Sequence, residues 1–100
     1  MKSPLPKEAY LKNADVYRIL ANPIRLEILN ILKFGEKSVE ELTRMVGINK
    51  PNVSQHLTLL RVARLILQRR NGLNIYYRIV NPKIIEPCRI LHEMRQKGLV

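Results

Sequence analysis

The stretch Asn49-Lys50-Pro51-Asn52-Val53-Ser54-Gln55-His56-Leu57, followed twelve residues later by Arg69-Arg70-Asn71-Gly72, decides the fold. In the first segment an Asn cap precedes a proline that suits a first helical turn, where its missing N–H would be unpaired anyway. Val53, Leu57 and Leu60 then recur at helical spacing beneath a row of small polar side chains. In the second segment Asn71-Gly72 separates two runs rich in Ile, Val and Tyr, residues 65–70 and 73–80, and predicts a hairpin with a type I′ turn. Upstream, Ser38-Val39-Glu40-Glu41 has the spacing of a capping box and opens a helix whose apolar face is Leu42, Met45 and Val46, broken at Gly47. Helix, glycine turn, helix and basic hairpin together make a winged helix-turn-helix.

The flanks extend this frame. Leu11, Ala14, Tyr17 and Leu20 predict a helix over 8–20 with one apolar face. Asn22-Pro23 caps and opens a second helix, carried by Ile24, Leu26, Ile28, Leu29, Ile31 and Leu32 and ending at Gly35. Asn81-Pro82 repeats that signature for a last helix, in which Pro87 predicts a kink or a short first turn. The expectation is a mainly α protein with a β-hairpin wing, about five helices plus two strands, dimeric. It is one domain over 8–97 behind a flexible tail, 1–7, that contains Pro4 and Pro6.

The charge layout names a partner. The chain carries a formal net charge of +10. All eight Asp and Glu residues lie outside 42–85, a span that holds Arg44, Lys50, Arg61, Arg64, Arg69, Arg70, Arg78 and Lys83. A polar, cationic face with no acid near it in sequence suits double-stranded DNA. Alternatives are a DNA-coating architectural protein without operator preference and a winged-helix module that binds protein. Catalysis has no support, since no nucleophile and base stand at a recognisable spacing and no glycine-rich phosphate loop is present, so the expectation is no enzyme and no cofactor. His92 and Glu93 are adjacent and point to different faces of a helix, so they make no metal site alone. The single cysteine, Cys88, excludes an internal disulfide. No apolar run has the length to span a bilayer and none opens the chain, so the expectation is a cytoplasmic protein with no membrane partner.

The expected DNA-contacting residues are Lys50, Asn52, Ser54, Gln55, His56, Thr58 and Arg61 on the helix, and Arg69, Arg70, Asn71 and Tyr76 on the hairpin. Asn and Gln pair with adenine in the major groove, and Lys suits guanine or phosphate. Asn49 also reads as a cap alone, and His56 as a ring that packs or bonds the backbone. Arg69 and Arg70 alternate faces, so one should point to the duplex while the other covers the domain's own surface. Arg25, in an apolar helix, reads as structural, pairing with an acid or capping carbonyls. Each terminal helix offers an apolar face, and Leu11, Tyr17, Ile84, Cys88 and Leu91 are the expected dimer contacts. Cys88 reads either as a small core residue or as a redox sensor near the dimer axis.

These segments resemble a known family. Leu20-Ala21-Asn22-Pro23-Ile24-Arg25-Leu26-Glu27-Ile28-Leu29 is similar to the second helix of ArsR/SmtB-type bacterial repressors. Val53-Ser54-Gln55-His56-Leu57-Thr58-Leu59-Leu60-Arg61 resembles their recognition helix, and Arg69 to Gly72 with Ile75-Tyr76-Tyr77-Arg78-Ile79 their wing. The likeness runs from about residue 16 to about residue 92. It implies a homodimer built from the first and last helices, binding to a palindromic operator, and release by a metal or redox signal. The chain departs from the pattern in four places. The third-helix cysteine box reads Val39-Glu40-Glu41-Leu42-Thr43-Arg44, without Cys. The last-helix metal site is met by Asn81, Lys83, Met94 and Lys97. Arg64 stands at the family's glycine between recognition helix and wing, and Leu73 at a wing-tip arginine. Neither family metal site is therefore expected to work here.

Overall fold

The computed structural model describes residues 2–100; Met1, the first residue of the expected tail, lies outside the described residues. Residues 2–6 form no helix or strand, and the first helix, α1, spans Lys7–Leu20. It is followed by α2 (Pro23–Leu32), β1 (Lys37–Ser38), α3 (Val39–Val46), α4 (Lys50–Val62), β2 (Ile66–Asn71) and β3 (Asn74–Ile79). A 3-10 turn, Pro82–Ile85, leads into α5 (Glu86–Gln96).

Local chemistry sets most of these boundaries. The Asn22 side chain accepts from the Arg25 amide, with Pro23 in the first turn of α2. Ser38 accepts from the Glu41 amide while the Glu41 carboxylate accepts from the Ser38 amide, completing the capping box of α3. Gly47 ends α3 at φ 81, left-handed backbone that glycine adopts without strain. Asn49 caps α4 at 2.9 Å from the Asn52 amide. Asn81 caps the 3-10 turn, and Pro87 falls in the first turn of α5, so the proline divides the last helix into a short first turn and a main helix.

The core lies between α2, α3, α4 and the sheet. Ile28, Leu29, Leu42, Val53, Leu60 and Ile66 are fully buried, and Leu32, Leu57 and Ile85 nearly so. From α1 only Val16, Ile19 and Leu20 pack against this cluster. Leu11 and Tyr17 face outward, so the apolar residues of α1 divide between two faces instead of sharing the one expected.

Three further features differ from expectation. There are three strands, in the order β1-β3-β2; β1 adds Lys37 and Ser38 antiparallel to Tyr77 and Tyr76. The second helix ends at Leu32, and Lys33, Phe34 and Gly35 form a turn instead of continuing it. The hairpin loop is Gly72-Leu73, not Asn71-Gly72, because Asn71 pairs with Asn74. Positive φ occurs at Gly72 (64) but not at Leu73, the sign pattern of a type II′ turn, which needs glycine only at its first central position. Arg64, between α4 and β2, is the one non-glycine residue with positive φ among the described residues (φ 62). Left-handed backbone there explains why glycine would suit this position.

Candidate nucleic-acid interface

Val53, Leu57 and Leu60 pin one face of α4 in the core, which leaves Lys50, Asn52, Ser54, Gln55, Thr58 and Arg61 exposed. The Thr58 hydroxyl donates to the Ser54 carbonyl at 3.0 Å and keeps its lone pairs free to accept. Asn49 is occupied as the cap. The expected contacts of α4 thus share its solvent side, with His56 as the exception.

His56 is half-buried, with Nδ1 3.3 Å from Nη1 of Arg25 in α2. Arg25 has only N–H donors, so the imidazole accepts at Nδ1, is neutral, and carries its proton on Nε2. Burial, and then the Arg25 charge, push the His56 pKa down. The Arg25 Nε also donates to the Ile19 carbonyl near the end of α1. Arg25 therefore caps a carbonyl, as the sequence suggested, and in addition ties α4 to α2. His56 is anchored to the domain by one nitrogen and keeps one donor.

The two wing arginines differ. Arg69 donates to both carboxylate oxygens of Glu36, from Nη2 at 2.7 Å and from Nε at 3.2 Å. Its guanidinium lies 4.9 Å from the ring centroid of Tyr76, its cross-strand partner. Arg70 projects from the opposite face of β2, is exposed, and makes no ion pair among the described residues. Asn71 is exposed at the end of β2 and Tyr76 is half-buried beneath Arg69. Lys50 also has an acidic neighbour, with Nζ 2.9 Å from Glu40. The expectation that no acid lies near this surface holds along the chain but not in space, because folding brings residues 36–40 beside α4 and the wing. Hydrogen bonding from Arg69, then the charges of Arg69 and Arg78, hold the Glu36 carboxyl below its ordinary value, and Lys50 does the same for Glu40. Sequence reasoning missed both acids, and no local signal marks them.

A second feature lies on the other side. Tyr17, Leu26, Ile84, Cys88, Leu91 and His92 are among the residues that line an apolar groove of about 600 Å³ between α1, α2 and α5. Of the five expected dimer contacts, the groove gathers Tyr17, Ile84, Cys88 and Leu91; Leu11, a turn or more away on α1, is 70% exposed. Among the described residues no three His, Cys, Asp or Glu side chains cluster to hold a metal ion, and no helix is long and apolar enough to cross a membrane.

A recognition helix seated on a core, a glycine turn before it and an antiparallel hairpin after it define a winged helix-turn-helix protein. The pattern of bacterial regulatory proteins of the arsR family matches residues 22–67. The chain is 43% identical to the HTH-type transcriptional regulator KmtR of Mycobacterium tuberculosis over 81% of its own length and 62% of that protein's, so it spans less than two thirds of that relative. It is 35% identical to the biofilm growth-associated repressor of Xylella fastidiosa, over 79% of this chain and 69% of that one. In structure it is similar to the homodimeric winged helix-turn-helix DNA-binding domain Mb0332 of Mycobacterium bovis, with TM-score 0.80 and 29% identity, over 98% of this chain and 95% of that one. The chain belongs to the arsR family and is a DNA-binding transcriptional regulator.

Proposed function

We propose that the chain is a homodimeric repressor that binds a palindromic DNA operator with two copies of α4 in successive major grooves and the wings on the flanks. The observation that carries this reading is the orientation of α4: three buried apolar residues fix it, and its exposed side offers Asn52, Gln55 and Thr58 beside Lys50 and Arg61. Gln55 and Asn52 read base edges, and Lys50, Arg61, Arg70 and Asn71 hold the backbone. Arg69 and Tyr76 form the stacked base of the wing, and His56 offers Nε2–H to the duplex.

The dimer is supported by α1 and α5, neither of which buries a single residue. Leu11, Tyr17, Ile84, Cys88 and Leu91 meet their counterparts across the two-fold axis, an arrangement consistent with the homodimer named for the related Mycobacterium bovis domain. Residues 8–97, with Lys7 at the head of α1, form the DNA-binding and dimerisation domain. The protein acts in the cytoplasm, as a regulator and not as an enzyme. Cys88 is the soft, oxidisable group at the dimer groove, and its modification shifts α5 and thereby the spacing of the two recognition helices.

The test is binding to a genomically footprinted site against bulk DNA. A repressor binds its site ~10³–10⁷-fold more tightly. A ratio near one indicates an architectural coat, and no binding to either DNA indicates a protein-interaction module. Gln55→Ala should cost about 1–3 kcal/mol at one base position and leave the others unchanged. Unaltered preference at every position contradicts this placement of α4. Loss of site binding after mild oxidation in the wild type but not in Cys88→Ser supports the redox role; equal insensitivity removes it.

A further inference from the structure

Two consecutive arginines on a wing look like two phosphate contacts, but only one is presented as such. Arg69 is held at three points: both Glu36 oxygens and the face of Tyr76. A carboxylate bridging Nε and Nη2 occupies one of the two edges with which a guanidinium forks onto phosphate, since both anions offer the same pair of oxygens. Glu36 is the more enclosed partner, its side chain 31% exposed against 53% for Arg69. It also lies near a second cation, Arg78, so it stays anionic at the pH of DNA binding. A backbone phosphate approaching Arg69 therefore meets a filled edge and a fixed negative charge. Arg70, one residue on and on the other strand face, carries no such partner among the described residues. Glu40 does the same to Lys50 in a weaker form, through one oxygen between two half-exposed groups.

We propose that Glu36 is a positioning residue that tunes DNA affinity: its carboxylate fills the Nε/Nη2 edge of Arg69, offsets its charge and so withholds one cation per protomer from the DNA backbone. Backbone contacts are sequence-independent, so each one added raises affinity for every site alike. Withholding one lowers affinity for operator and bulk DNA by the same factor, so the specificity ratio stays with the base contacts of α4 while overall affinity and its salt dependence fall. The inference rests on the operator-binding reading above.

The experiment compares the full chain with Glu36→Gln, Arg69→Gln and the double variant, titrated onto a random-sequence duplex and onto the footprinted site over a salt series. Glu36→Gln should bind random DNA and the footprinted site more tightly by a similar factor, steepen the slope of log affinity against log salt by about 0.9 per protomer, and leave the specificity ratio unchanged. The double variant, which removes both charges of the pair, should bind random DNA as the wild type does, whereas Arg69→Gln alone should bind more weakly because it leaves the Glu36 carboxylate uncovered. An unchanged or weakened Glu36→Gln overturns the inference, as does a gain over the wild type that persists in the double variant, which would not need Arg69. A marked loss in the double variant, where no carboxylate is left uncovered, also overturns it, since Arg69 would then already touch the duplex. If the wild type binds no DNA at all, the operator-binding reading falls and takes this inference with it. Glu36→Ser repeats the measurement should Glu36→Gln unfold.

Discussion

The segment from α2 to β3 and the two terminal helices solve the burial problem in opposite ways. Between Pro23 and Ile79 each helix contributes side chains that are fully or almost fully buried, and the sheet closes over them with Ile66 and Ile79. In α1 and α5 no residue reaches that state, and Leu11, Tyr17 and Leu91 stand 70%, 64% and 45% exposed. The molecule is also extended, with a radius of gyration of 15.4 Å against about 13 Å for a compact domain of this length. The contrast teaches that the segment carrying α4 and the wing is complete within one chain, while the terminal helices keep apolar surface of the kind the proposed second copy would cover. In the proposed dimer, a core that holds the recognition helix within each chain would let α1 and α5 shift the spacing of the two helices without unfolding either.

If this division is right, the two halves respond differently to damage. Leu11→Asp with Leu91→Asp should leave each protomer folded but separate the pair, costing operator affinity on the order of 10²–10⁴-fold through lost avidity. Retained affinity would break the comparison. Leu57→Ala opens a hole under α4 and should lower unfolding stability by about 2–5 kcal/mol in urea, by the same amount at every protein concentration. A loss that varies with concentration would tie the core to the dimer instead. Arg64→Gly relieves left-handed backbone at the join of α4 and β2 and should change stability by about 1 kcal/mol or less, in the favourable direction, because the strain removed exceeds the chain entropy added.

The smallest expected effect is a pH dependence. The folded state lowers the His56 pKa below its ordinary value of 6.5, so the native protein prefers the neutral ring. Its contribution is complete above 6.5 and is lost as pH falls through the lowered folded value. The urea midpoint of the wild type should therefore drop more between pH 7.5 and 5 than that of His56→Gln. Parallel curves would show that the Arg25 contact carries no proton linkage.

Much of the fold was legible because its signals are local. Ser38 with Glu41, Asn49 with Asn52 and Asn81 with Lys83 each satisfy helix-end amides within three residues, so sequence spacing alone reveals them. The inward face of α4 was legible for the same reason. β1 was not, since two residues have no alternation to read. The hairpin loop was displaced by one residue because Asn-Gly favours one turn type, whereas the paired strands placed Gly72 first in another. At the interface the polar residues of α4 were legible, but their acidic partners were not. Glu36 and Arg69 lie thirty-three residues apart, and Arg25 and His56 thirty-one, so only packing brings them together.

The most direct test of the central claim is sedimentation equilibrium of the full chain at micromolar concentration, beside Leu11→Asp/Leu91→Asp. Twice the chain mass is expected for the wild type and a single folded chain for the variant. A wild type that sediments as a stable monomer would contradict it.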